Sequence, residues 1–159
     1  TTLFRSLNLE ARGVKVEDVV VLPYPQYGVK LYGNAIIASE EFVKKNPEAI
    51  KAFLRAFTKG VKDVIADPKG GIETVKARDG IINSELELRR LKLALDATVL
   101  TPDAKAEGFG EVKGPRLSLM ASQVSDAFGT KERVKADAVW NGSFLPSAAD
   151  RNLFAAAKK

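Results

Sequence analysis

Hydrophobic positions repeat with helical spacing over most of this chain. The clearest case is Ile50, Phe53, Leu54, Phe57, Val61, Val64 and Ile65, which follow the i, i+3, i+4, i+7 pattern and predict a helix with its apolar stripe in the core. Asn46-Pro47 opens that helix, because a first-position proline lacks an N–H that has no partner there anyway. Asp67-Pro68 ends it, and Gly70-Gly71 reads as the turn that follows. Just upstream, Ser39 is a candidate N-cap for a short helix with Glu40 and Glu41 in its first turn. Residues 72–78 suit another short helix. Ser84 and Glu87 read as a capping box for a helix over 85–97. Pro115 opens a helix to Phe128, expected to be buried through Leu117, Met120, Val124 and Phe128 and stopped by Gly129. Ser147 caps a last helix. Residues 3–12 suit a helix ended by Gly13.

Period-two and β-branched patterning is confined to the first quarter. Residues 18–23 read as a buried strand ended by Pro23, and residues 30–38 as a second strand with Gly33 inside it. Residues 101–114 read as a loop. Two strands alone make a marginal sheet. The expected class is therefore α/β, mostly helical with few strands, and part of a larger sheet-containing protein. The chain opens on Thr1 with no initiator Met and no signal peptide, and no repeat or linker divides it.

Composition narrows the chemistry. The chain has 159 residues, no Cys and no His. Disulfides, thiolate metal sites and a Ser-His-Asp triad are excluded. No apolar run is long enough to span a bilayer. The net charge of +5 comes from 25 basic and 20 acidic side chains spread along the sequence. Only Arg89, Arg90 and Lys92 are dense, with Glu85 and Glu87 beside them, so nucleic acid is not an expected partner.

Candidate chemistry centres on residues 24–34. All three tyrosines, Tyr24, Tyr27 and Tyr32, fall there, beside Gly33 and Asn34. Rings for stacking and an amide for orientation suit a small polar or aromatic ligand. Composition alone favours the plainer reading, in which these are strand-end aromatics packing a loop. Asp63 and Asp67 share a helix face with Lys59 and Lys62 and read as solvated. Gly108-Phe109-Gly110 is too short for a phosphate loop. Ser143 and Ser147 have no His to activate them, and Trp140 reads as a packing anchor.

The run from Tyr27 to Phe42 (YGVKLYGNAIIASEEF), followed by Asn46-Pro47-Glu48, Phe53-Leu54-Arg55-Ala56, Gly60 and Ala66-Asp67-Pro68, resembles the C-terminal half of the NMT1/THI5-like solute-binding proteins of ABC transporters. Ser143-Phe144-Leu145-Pro146 and Arg151 are similar to that family's tail, so the likeness runs over about residues 13–155. Gln26 and Lys30 stand where relatives often carry an acid.

The resemblance implies a partial type II periplasmic-binding-protein fold. Residues 1–38 would supply a hinge and second-lobe strand segment, and residues 39–159 the helical C-terminal portion. The first lobe would lie before Thr1. The implied function is solute capture in an interlobe cleft, with Tyr24, Tyr27, Tyr32, Gly33 and Asn34 near the ligand. It also implies an ABC membrane permease as partner, a periplasmic or lipid-anchored extracellular location, no cofactor and no catalysis. The alternative is a thiamine-pyrimidine synthase-like enzyme of the same fold. That reaction consumes a histidine, and this chain contains none.

Overall fold

The computed structural model describes residues 7–10 and 12–155. Among these the chain is mostly helical and contains no strand. The main helices are α1 (Glu40–Lys45), α2 (Pro47–Ala66), α3 (Pro68–Lys76), α4 (Ser84–Ala94), α5 (Pro102–Glu107), α6 (Gly114–Phe128) and α7 (Ala136–Val139). Two compact units emerge. One draws on Thr1–Val21, Ala56–Phe109 and Ala148–Lys159, the other on Leu22–Arg55 and Gly110–Ser147.

The first unit holds the core. Ile65 of α2, Leu95 after α4 and Leu153 are buried together, with Val61, Leu91, Val99, Leu100 and Phe109 packed against them. Phe57 and Phe109 stack with ring centroids 6.4 Å apart. Residues 7–10 are helical and end at Gly13, whose N–H reaches Glu10 O at 2.9 Å. The rest of the helix expected over residues 3–12, at 3–6 and 11, lies outside the described residues.

Several helix boundaries differ from the sequence expectation, each for a capping reason. Gly70-Gly71 is not a turn but lies inside α3. Asp67 accepts from Gly70 N at 3.0 Å and Pro68 occupies the first turn, so cap chemistry offsets the glycines' poor helix propensity. A Cβ on Gly71 would come within 3.2 Å of Val64 Cγ2, so the small residue also lets α3 approach α2. Asp67→Ala is expected to lower stability by about 1 kcal/mol, read by urea unfolding. Loss below about 0.3 kcal/mol would show that the cap contributes nothing.

The cap of α4 is Asn83, not Ser84. Asn83 Oδ1 accepts from Leu86 N at 3.0 Å, Ser84 Oγ is buried without a partner, and Glu87 pairs with Arg90 instead. The helix expected to run to residue 97 passes at Leu95 into a π turn, Leu95–Val99. The expected loop 101–114 begins with α5, because Thr101 accepts from Ala104 N at 3.2 Å and Pro102 follows it. Among the described residues no helix follows Ser147. Residues 148–151 form a turn, and Asn152 Oδ1 takes the Phe154 N–H at 3.0 Å in competition with a helical ladder.

In the second unit Ser39 caps α1 by accepting from Phe42 N, and Asn46 ends it. Lys51 bonds Glu48 at 2.8 Å and holds that carboxyl below its ordinary value. Any stability from this pair is present above the ordinary carboxylate pKa and lost as pH falls through the lowered one; on an exposed face it is small. Gly129 ends α6, and Ser125 Oγ takes the Val134 N–H at 3.2 Å, folding residues 130–134 back on the helix.

Neither expected strand forms. Val16–Asp18 is a 3-10 turn, and residues 19–23 are irregular. Segment 29–38 is irregular too, and Ile37 is 90% exposed. A strand needs a neighbour for its backbone ladder. Here the Lys30 and Leu31 carbonyls accept from Arg116 and the Tyr32 N–H donates to Met120 Sδ, so side chains meet groups that a sheet would have used. Apolar stripes are likewise only partly covered. Ile50 and Leu54 are half-buried, Phe53 and Phe57 are exposed, and on α6 Leu117 is buried while Val124 and Phe128 are exposed.

Candidate functional site

Residues 24–34 do not form one cluster. Pro25 favours a tight turn, and Tyr24–Tyr27 is a 3-10 helix closed by Gly28 at φ 85°, a left-handed conformation that glycine adopts without a Cβ clash. Tyr24 and Tyr27 are 72% and 64% exposed. Gly33 and Asn34 are exposed, with open space where a Gly33 Cβ would stand. No side-chain hydrogen bond or ring contact joins these four residues among the described ones.

Tyr32 is held quite differently. Its hydroxyl accepts from Lys113 N at 2.8 Å, its N–H reaches Met120 Sδ at 3.3 Å, and the Arg116 guanidinium lies 4.3 Å from its ring centroid. Arg116 also donates to Lys30 O at 3.1 Å and Leu31 O at 3.0 Å. A planar guanidinium can do both at once, stacking on a ring while its edge bonds carbonyls. Tyr32 and Arg116 thus pin residues 30–32 to the first turns of α6. The sequence reading missed Arg116. Its only signal is a cation just after Pro115, which carries no information about a partner 85 residues away.

Tyr32→Phe tests the hydroxyl alone. It is expected to cost about 0.5–1.5 kcal/mol of stability in thermal or urea unfolding, the usual net value of one such bond. No measurable loss would show that water replaces the phenol at Lys113.

Behind Lys113 lies a groove of about 540 Å³, lined by Val112, Leu117, Ser118, Lys135, Asp137 and Trp140 among others. Val112 and Gly114, both in its wall, flank the Lys113 amide that Tyr32 binds. Trp140, expected as a packing anchor, is half-buried in this wall.

The remaining polar candidates have structural partners. Lys59 bonds Asp63 at 2.6 Å, Asp67 caps α3, and Ser143 Oγ donates to Asn141 Oδ1 at 2.7 Å. Gly108 sits against Arg151, and Phe109 N donates to Arg151 O at 3.0 Å. Among the described residues no three His, Cys, Asp or Glu side chains converge as metal ligands, and no helix is long and apolar enough to cross a membrane.

Residues 2–70 match the family model described as NMT1/THI5 like. No curated protein and no solved structure matches the chain. The matched stretch, less than half of the chain, contains Tyr24, Tyr27, Tyr32, Gly33 and Asn34, and its similarity to that family includes the run from Tyr27 to Pro68.

Proposed function

We propose, from the premise that residues 2–70 are NMT1/THI5-like, that this chain is part of the solute-binding component of an ABC import system. The carrying observation is that family match, which spans every residue read as a ligand contact. The proposed fold is a type II periplasmic binding protein with this chain as its trailing portion. Two lobes close on a small polar or aromatic solute, and the closed form docks on the membrane permease. Its place is the periplasm or the outer face of the membrane. Tyr24 and Tyr27 offer exposed rings for stacking, and Asn34 offers an exposed amide. Gly28 and Gly33 give the segment backbone freedom.

Binding without bond-making is the expected chemistry. The synthase-like alternative shares the family match, but the histidine its reaction consumes would have to come from outside these residues. Thermal melting of the intact gene product with taurine, alkanesulfonates and pyrimidines separates the two. A solute at a hundredfold excess over its Kd adds about 2.7 kcal/mol to the folded state. The receptor reading expects a saturable shift with the solute recovered unchanged. A visible aldimine absorbance with pyridoxal phosphate, and loss of substrate, would establish the enzyme instead.

A further inference from the structure

The groove beside α6 brings apolar side chains, an indole, a cation and an anion together. Its floor is apolar, with Leu117 buried and Val112 and Ala136 half-buried. The Trp140 indole forms one wall, and no intramolecular hydrogen bond engages its N–H among the described residues. Lys135 and Asp137, one cation and one anion, also line it. Some exposed charges on this chain pair with each other, as in Lys44–Glu40, Lys45–Glu41, Lys59–Asp63 and Arg133–Asp126. Lys135 and Asp137 take part in no ion pair among the described residues. The volume of about 540 Å³ falls in the roughly 300–1,000 Å³ range of small-molecule sites. Its rim is fixed in advance, because the Lys113 peptide between Val112 and Gly114 is bonded to Tyr32. A preformed rim lowers the ordering cost of binding.

We propose that this groove is a binding site for a small aromatic zwitterion. The ring lies against Trp140 and Leu117, the carboxylate meets the Lys135 ammonium, and the ligand's ammonium meets the Asp137 carboxylate. Opposed lining charges select a ligand bearing both signs. A purely anionic or cationic aromatic leaves one protein charge facing a partner it repels or does not satisfy. The Ser118 hydroxyl adds a donor and acceptor at the edge. This site goes beyond the solute-receptor reading: it uses none of Tyr24, Tyr27, Gly33 or Asn34, and its test does not depend on theirs.

Trp140 is the single tryptophan of the chain, so emission excited selectively in the indole band, beyond tyrosine absorbance, comes from this groove wall. L-phenylalanine is the probe, being an aromatic zwitterion with little absorbance where tryptophan is excited. The expected result is a saturable change in Trp140 emission. 3-Phenylpropionate, which lacks the ammonium, and phenethylamine, which lacks the carboxylate, should each bind at least about tenfold more weakly. Lys135→Met should bring L-phenylalanine down to the affinity of phenethylamine. Asp137→Asn should bring it down to that of 3-phenylpropionate. Both residues are exposed, and calorimetry on the same proteins checks the fluorescence. The proposal is overturned if L-phenylalanine gives no saturable response through the millimolar range. It is equally overturned if the three ligands bind alike, or if both variants retain full discrimination.

Discussion

Replacing Leu153 by Ala lowers the unfolding free energy by about 2–5 kcal/mol. Leu153 is the one large side chain with 0% exposure among the described residues, and it packs with Ile65 and Leu95 where few other residues are fully buried. Removing its terminal carbons forfeits transfer free energy and leaves a cavity whose lining comes from α2, the π turn after α4 and the segment before residue 155. A core this small has little to collapse into the gap. Urea unfolding is the measurement, with the midpoint expected to fall while the slope stays constant. Loss of less than about 1 kcal/mol would mean that the first unit does not depend on this cluster. Leu153→Met, close in volume, is expected to cost under about 1.5 kcal/mol and so separates cavity from chemistry.

Arg151→Ala is expected to cost about 2–4 kcal/mol, from lost charge-assisted bonds and carbonyls left without a donor. Arg151 is only 7% exposed. Its Nη1 donates to Phe109 O at 3.2 Å and reaches Glu107 O at 3.5 Å, while its own carbonyl accepts from Phe109 N. Gly108 makes this bracket possible. It sits at φ 92°, and a Cβ there would lie 3.1 Å from Arg151 Nη1. Arg151→Lys is expected to recover less than half of the loss, because an ammonium on a flexible stem cannot reproduce the guanidinium fork. Hydrogen exchange at the Phe109 amide gives the local readout: faster in both variants if the bracket holds residues 107–109 in place. Full rescue by Lys would show that charge alone, without the fork, is what this position needs.

How much could be read without coordinates depended on the range of the interaction. Caps were legible where one residue and its third neighbour settle the matter, as at Ser39, Pro47, Pro115 and Gly129. Local pattern is ambiguous at Asn83-Ser84, two residues of similar capping strength of which Asn83 caps, and at Thr101, where a loop-like composition hides a single capped turn. The β-branched runs over 18–23 and 30–38 predict strands. Those runs encode a preference for extended backbone, but not the neighbour that would complete a ladder. The candidate ligand set rests on composition within eleven residues, and the fold divides it: Tyr24 and Tyr27 face solvent, while Tyr32 is bonded to Lys113 and stacked by Arg116. Trp140, Lys135 and Asp137 carry no motif, and only folding places them around one groove.

The sequence by itself determined the helical periodicity, the main helix stops, the exclusion of histidine and thiol chemistry, and the likeness to NMT1/THI5-like proteins over residues 2–70. These follow from residue identity and from neighbours within a turn or two. Only the tertiary structure decided which apolar stripes are covered, that residues 30–32 give their backbone groups to Arg116 and Met120, and that Arg151 bonds the backbone of residues 107–109. Those outcomes depend on contacts between residues more than 40 positions apart, whose energies local pattern does not carry.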